Sequence, residues 1–299
     1  MALVNNIPKV VRLQLKKTNI QAYYYANPGF KRVITSPIRV LPDFLLIGAA
    51  KCGTSSAFHY LVQHHNIIPS SEKEIGFFSA WPKSGKLWYK SHFPTHLQKF
   101  VVKKLYRRKF ITGEATPSYL FAPLVPKMVH KVIPNVKMIV LLRNPVDRAY
   151  SNYRMRVMRG YEKLSFEDAI KNEDARLEGE KEKILNDPNY YGYNYSIYSY
   201  LTRGIYVDQL KVWMDIFPKE QFLVLKTEDL YSQPQKILNH IFDFLSLPSY
   251  SVPDLKRKNE WGKKYSDMSP KMRKTLIEFF KPHNERLYQF LGTNFGWDR

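Results

Sequence analysis

Three times along this chain a short, unbroken apolar run closes on a small or polar residue and gives way to a helical pattern. The runs are Phe44–Leu45–Leu46–Ile47 before Gly48, Met138–Ile139–Val140–Leu141–Leu142 before Arg143, and Gln221 through Lys226. Runs of this length without polar alternation suit strands buried on both faces, the situation in a parallel sheet covered by helices. Helical spacing follows each: from about Thr54 to His65, from Val146 behind Pro145, and after Pro234 through Ile237, Ile241, Phe242, Phe244 and Leu245. A further helical period runs through Leu276, Phe279, Phe280, Leu287, Phe290 and Leu291. The alternation predicts an α/β, P-loop-like three-layer domain with a central mainly parallel sheet flanked by helices, whose ligands bind beyond the carboxyl ends of the strands.

Ahead of the first run, Pro8, Pro28, Gly29, Pro37 and Pro42 punctuate a stretch that carries Tyr23, Tyr24 and Tyr25. It reads as an N-terminal extension over residues 1–41, draped on a domain formed by 42–299. A chain of 299 residues supports one large core. The 47 Lys+Arg against 26 Asp+Glu give a formal net charge of +21, so the surface attracts polyanions or acidic headgroups. Nucleic acid is the second choice among these, because the basic residues are spread without a zinc-finger, RRM or helix-turn-helix pattern. Cys52 is the only cysteine, which excludes an intramolecular disulfide and a cysteine-based zinc cluster and fits a reducing compartment. No window approaches the roughly 20 apolar residues of a membrane span, and no signal-peptide run opens the chain. A soluble, cytoplasmic protein is the expectation. Residues 3–17 mix Leu and Val with Lys9, Arg12, Lys16 and Lys17, a pattern open to a plain surface arm or to peripheral membrane contact.

The first strand leads into Gly48–Ala49–Ala50–Lys51–Cys52–Gly53–Thr54–Ser55–Ser56 and then a helix. Small residues there let backbone N–H groups close on an anion, and the helix N-terminus adds partial positive charge. The two glycines keep the separation found in nucleotide P-loops, but Thr54 stands where the Walker lysine belongs, and the lysine lies inside the loop at Lys51. The second strand delivers Arg143 at its end, with Ser151 about two turns into the next helix, so one crevice is able to receive both. Each residue alone reads equally well as a solvated cation or a helix hydroxyl.

The string PDFLLIGAAKCGTSS resembles the 5′-phosphosulfate loop of sulfotransferases that use 3′-phosphoadenosine 5′-phosphosulfate (PAPS), particularly the carbohydrate-modifying branch with heparan sulfate O- and N-sulfotransferases. VLLRNPVDRAYSNY resembles the family's 3′-phosphate element, and Trp261–Gly262–Lys263–Lys264–Tyr265 its later basic loop, with Lys263 where Arg is usual. The resemblance runs from about Pro42 to Asp298 and implies a fold, a donor and roles. The donor is PAPS, leaving adenosine 3′,5′-bisphosphate, and no metal is required. Lys51, Cys52, Gly53, Thr54, Ser55 and Ser56 hold the 5′ side, Arg143 and Ser151 grip the 3′-phosphate, and Gly262, Lys263 and Lys264 close over the nucleotide. Glu74 in SEKEIGFFS matches the family's general base, and Lys51 stabilises the leaving phosphate.

Gly76 replaces the usual His of that segment, and Ala115 in GEATPSYL replaces a substrate-side Lys. The acceptor implied is therefore a hydroxyl or amine of a glycan or glycan-like molecule, neutral or acidic, without heparan specificity, and a lipid or small-molecule hydroxyl is the alternative. A non-catalytic polyanion- or membrane-binding scaffold and an NTPase are the rival classes. Glu114 reads as structural, His64–His65 as an exposed helix end, Glu162 to Lys183 as a solvated helix, and the tyrosines from Tyr190 to Tyr200 as packing more than as a sugar platform.

Overall fold

The computed structural model describes residues 30–80, 82–104, 109–187, 189–258 and 268–297. The N-terminal arm to residue 29 and the Gly262–Lys263–Lys264 loop lie outside the described residues. The chain opens with α1 (Phe30–Ile34), β1 (Phe44–Gly48), α2 (Thr54–Leu61) and β2 (Ile67–Pro69). Three short helices follow, α3 (Phe77–Ala80), α4 (Gly85–Lys90) and α5 (His96–Lys104), before β3 (Ile111–Ala115), α6 (Val125–Val132) and β4 (Lys137–Leu142). Then come α7 (Pro145–Met158), α8 (Phe166–Lys171), α9 (Glu173–Leu177), α10 (Glu180–Asn186), α11 (Tyr193–Tyr198) and α12 (Tyr206–Met214). The last elements are β5 (Phe222–Lys226), α13 (Thr227–Ser232), α14 (Pro234–Phe244) and α15 (Pro270–Leu291).

The five strands form one sheet in the order β2-β3-β1-β4-β5, every pairing parallel. From β1 the chain winds first to β2 and β3 on one side and then to β4 and β5 on the other. The crevice for ligands therefore opens at the carboxyl end of β1, between loops that depart in opposite directions. Every residue of β1 and β3 is buried, and β4 is buried after Lys137, which is why the first two sequence runs are continuously apolar. β5 mixes buried Phe222 and Leu225 with half-buried positions, as suits an edge strand.

Two strands lack that signature. β2 spans only Ile67–Pro69, and β3 reads ITGEA, with Gly113 and Glu114 in a central strand. Gly113 is required by packing, since a Cβ there would meet the Phe44 ring at 2.6 Å. The first helix ends at Leu61, short of the expected His65. His64 is fully buried with its imidazole Nε2 3.0 Å from the Pro248 carbonyl, which corrects its reading as exposed. The stretch 162–183 is also not one solvated helix. It is broken into α8, α9 and α10, and Glu162, Glu173 and Glu180 are buried.

One apolar core surrounds the sheet, and a second cluster joins Val146 and Ala149 of α7 to Phe166, Ala169, Tyr200 and to Leu276 and Phe280 of α15. This second cluster fixes α7, the helix that follows the Arg143 turn. Among the described residues, no helix is long and apolar enough to cross a membrane.

Candidate active site

The loop after β1 is held from several sides. Ala49 N–H donates to the Leu141 carbonyl of β4, Leu120 N–H donates to Ile47, and the Thr227 hydroxyl donates to the Cys52 carbonyl at 2.8 Å. Gly53, at φ +76°, caps α2, and a Cβ on it would lie 2.7 Å from the Tyr231 hydroxyl, so glycine is demanded both by the left-handed turn and by the ring against it. Lys51 also has a positive φ, +74°. The first turn of α2 thus presents its N–H groups beside Lys51, an arrangement suited to phosphate-like anions.

The turn after β4 is fixed as firmly. The Asn144 side chain accepts from Val146 N–H at 3.0 Å, Asn144 N–H donates to Glu228 at 2.9 Å, and the buried Tyr206 hydroxyl donates to the Arg143 carbonyl at 2.9 Å. Tyr206 also meets the Cys52 sulfur at 3.6 Å, so one phenol ties the two loops together. β1 and β4 are neighbours, with Gly48 opposite Val140, so Lys51 and Arg143 leave adjacent strand ends.

The electrostatics agree with that placement. Burial, with the charges of Arg159, Arg143, Arg156 and Arg148, pushes the Lys51 ammonium down to about 8. Two of these guanidinium groups, Arg148 and Arg156, are buried, as is Arg203, whose charge acts on both. Arg148 donates to the Tyr200 carbonyl, Arg156 to Ser196 at 2.8 Å, and Arg203 to Ser196 at 3.2 Å, while Nε of each and Nη1 of Arg148 lack a hydrogen-bond partner. Burial and mutual repulsion lower the affinity of Arg203 for its proton. The buried carboxylate near them, Glu173, is already used by Tyr200, Leu201 and Thr202 N–H and by the Thr202 hydroxyl. Three desolvated cations around a single buried carboxylate leave an excess of positive charge, which is costly and favours an anionic ligand.

Glu74 lies on the turn before α3, with φ +62°, and its N–H donates to the Ala115 carbonyl at the carboxyl end of β3. Its side chain is 58% exposed and pairs with Lys73 at 2.5 Å. Beneath this turn Glu114 is fully buried and accepts from Tyr89 at 2.7 Å, Thr116 at 2.6 Å and Tyr119 at 3.1 Å. The Thr116 oxygen in turn accepts from Gly76 N–H at 3.2 Å, so Glu114 anchors the loop that bears Glu74. That is the structural role its sequence context suggested.

Lys51, Gly53, Thr54 and Ser55 therefore gather at the head of α2, Arg143 joins them from β4, Ser151 is half-buried on α7, and Glu74 hangs from the adjoining strand end. Two residues are placed differently from a simple cradle. The Cys52 thiol is turned into the core, leaving only its backbone for a ligand, and the Ser56 hydroxyl is buried and accepts from Lys258 N–H at 2.9 Å. Sequence reading gives Arg148 local helix contacts only and passes over Arg156, Arg159 and Arg203. Arg148 and Arg156 stand eight residues apart on one face of α7, a helical spacing that was available as a signal, whereas Arg203 arrives from a distant turn. Among the described residues, no group of His, Cys, Asp or Glu is arranged to hold a metal ion.

A parallel sheet switching direction at a glycine-hinged loop, with a helix N-terminus and buried cations around it, defines an anion-binding α/β domain of the P-loop-like class. Residues 41–283 match the model of the sulfotransferase domain, and the chain belongs to the sulfotransferase family, a family of PAPS-dependent enzymes. It is 27% identical, over 86% of its length, to the membrane-associated sulfotransferase kil1 of Dictyostelium discoideum. It is 28% identical, over 85% of its length, to the bifunctional heparan sulfate N-deacetylase/N-sulfotransferase 1 of Caenorhabditis elegans. The chain spans 66% of the first relative's length and 30% of the second's. A crystal structure of a sulfotransferase from Alicyclobacillus acidocaldarius superposes with a TM-score of 0.62 at 30% identity, covering 87% of this chain and all of that one.

Proposed function

We propose that this chain transfers the sulfuryl group of PAPS to a hydroxyl or amine of a glycan or glycan-like acceptor. The observation that carries the reading is the desolvated Lys51 with Arg143 among the cations that depress it, because a donor with phosphates at both ends needs two cationic sites in one crevice. Lys51 and the first-turn amides at Gly53, Thr54 and Ser55 take the 5′-phosphosulfate. Arg143 and Ser151 take the 3′-phosphate, which bridges the helix rise of about 10 Å between them together with the long Arg143 side chain.

Glu74 removes the acceptor proton as its oxygen or nitrogen attacks sulfur. The sulfur–oxygen bond to the 5′-phosphate breaks on the opposite side, and Lys51 compensates the charge that collects on the leaving phosphate. The Lys73 ammonium, 2.5 Å from the Glu74 carboxylate, fixes where that side chain rests beside the crevice. Arg156 and Arg159, on the same flank as Lys51, favour an acceptor that already carries negative charge. The heparan sulfate named for the Caenorhabditis elegans relative has that character.

Calorimetry with adenosine 3′,5′-bisphosphate against ATP, followed by labelled-sulfate transfer to glycans, lipids and phenols, tests the reading. Glu74→Gln should lower turnover by about 10²–10⁴ with nucleotide affinity retained, and Lys51→Ala should lower it by about 10²–10³. A preference for ATP, or full turnover in Glu74→Gln, would overturn the assignment.

A further inference from the structure

We infer that the face formed by α1, the turn after it, α4 and α5 docks this protein on an anionic phospholipid surface. Ile34, Ile38, Leu87, Leu97 and Phe100 project from it, their exposure running from 54% for Leu87 to 68% for Leu97. None of the residues of α5 is buried, and Leu97 and Phe100, one helical turn apart, stand exposed among the described residues. Large apolar side chains grouped this way mark a binding surface when they are contiguous.

Several contacts hold these elements together. Arg39 bridges Thr95 and donates to the Phe93 carbonyl at 2.5 Å, Arg32 donates to Ser91 at 3.1 Å, Lys90 donates to the Pro37 carbonyl at 2.8 Å, and Val40 N–H donates to Pro94. Ile38 is thereby set beside α4 and the start of α5.

The charge around the patch identifies the occupant. From residue 75 to residue 104 the sequence holds six lysines and no Asp or Glu. Lys99 among them pairs with Asp43 at 3.9 Å, and the excess of ammonium groups on a segment bearing exposed aliphatic and aromatic side chains matches the boundary between acyl chains and anionic headgroups. A second copy would set lysines against lysines. Residues 1–29 would do the same, because they contain Lys9, Arg12, Lys16 and Lys17 and no acidic residue. A soluble polyanion would use the lysines and leave the apolar groups in water. The face is distinct from the crevice at Lys51 and does not depend on the donor assignment.

Sedimentation of the full chain with phosphatidylcholine vesicles, with and without phosphatidylserine, tests the inference. The wild type should partition to the phosphatidylserine vesicles and weakly to neutral ones. Leu97→Ser with Phe100→Ser, and separately Lys103→Glu with Lys104→Glu, should each lower partitioning at least tenfold while thermal midpoint and adenosine 3′,5′-bisphosphate binding stay unchanged. The inference is overturned if the wild type ignores anionic vesicles or if the serine pair partitions as well as the wild type. It is equally overturned if the serine pair instead abolishes a concentration-dependent dimer, or if removal of residues 1–29 alone abolishes partitioning.

Discussion

Lys51 carries a pH signature that belongs to a single residue. Its ammonium is held at about 8 in the folded protein against an ordinary 10.5, so the charge a phosphate needs is nearly complete about one pH unit below that value, halved at it and lost as pH rises through it. A bound phosphosulfate stabilises the charged form and raises the value again. Binding of adenosine 3′,5′-bisphosphate should therefore weaken above pH 8, by up to about tenfold per pH unit, with proton uptake visible when buffers of different ionisation enthalpy are compared. Lys51→Arg should flatten the profile, and a wild-type affinity constant from pH 7 to 9 would remove Lys51 from the phosphate site. Lys51 and Arg143 were legible in the sequence because each stands directly beyond an apolar strand, where a parallel sheet delivers its ligands. Arg148 and Arg156 left only their spacing along α7 as a trace and Arg203 left none, since an arginine in sequence is by default a solvated cation and only the fold removes its water.

Among the elements, the turn at Thr202–Gly204 after α11 depends on Glu173 at the start of α9, which accepts three backbone N–H groups and a hydroxyl. Glu173→Gln leaves the shape but halves the acceptor capacity, and should destabilise the protein by about 2–3 kcal/mol, measured by denaturant unfolding. Arg203 follows that turn, so nucleotide affinity should fall with it, while a variant of unchanged stability would show that the network is dispensable. Legibility differed sharply among elements. β1, β4, β5, α14 and α15 are unbroken apolar or helical runs, and the structure has them where the pattern predicts. β3 hid because a glycine packed on Phe44 and a carboxylate satisfied by Tyr89, Thr116 and Tyr119 fill a central strand with residue types that normally signal a loop. The tyrosine segment behaves mainly as packing: Tyr195 stacks on Phe121 at 4.3 Å and the Tyr200 hydroxyl donates to Glu162 at 2.9 Å.

For the molecule as a whole, a net charge of +21 with more buried cations than carboxylates behind the crevice means that the unliganded state carries repulsion an anion relieves. Adenosine 3′,5′-bisphosphate at 100 times its dissociation constant should stabilise the fold by about 2.7 kcal/mol, a rise in thermal midpoint of roughly 5–10 °C at about 2–4 °C per kcal/mol. Inorganic sulfate should give part of that shift, and a null shift with the nucleotide would argue against a preformed site. All five strands point the same way, so the opposite rim of the sheet, around Asn135 and Ser246, lies away from the strand ends at which donor binding is proposed. A tether, fluorescent reporter or fused domain attached at that rim should leave turnover intact, which gives this protein a natural handle for immobilised assays.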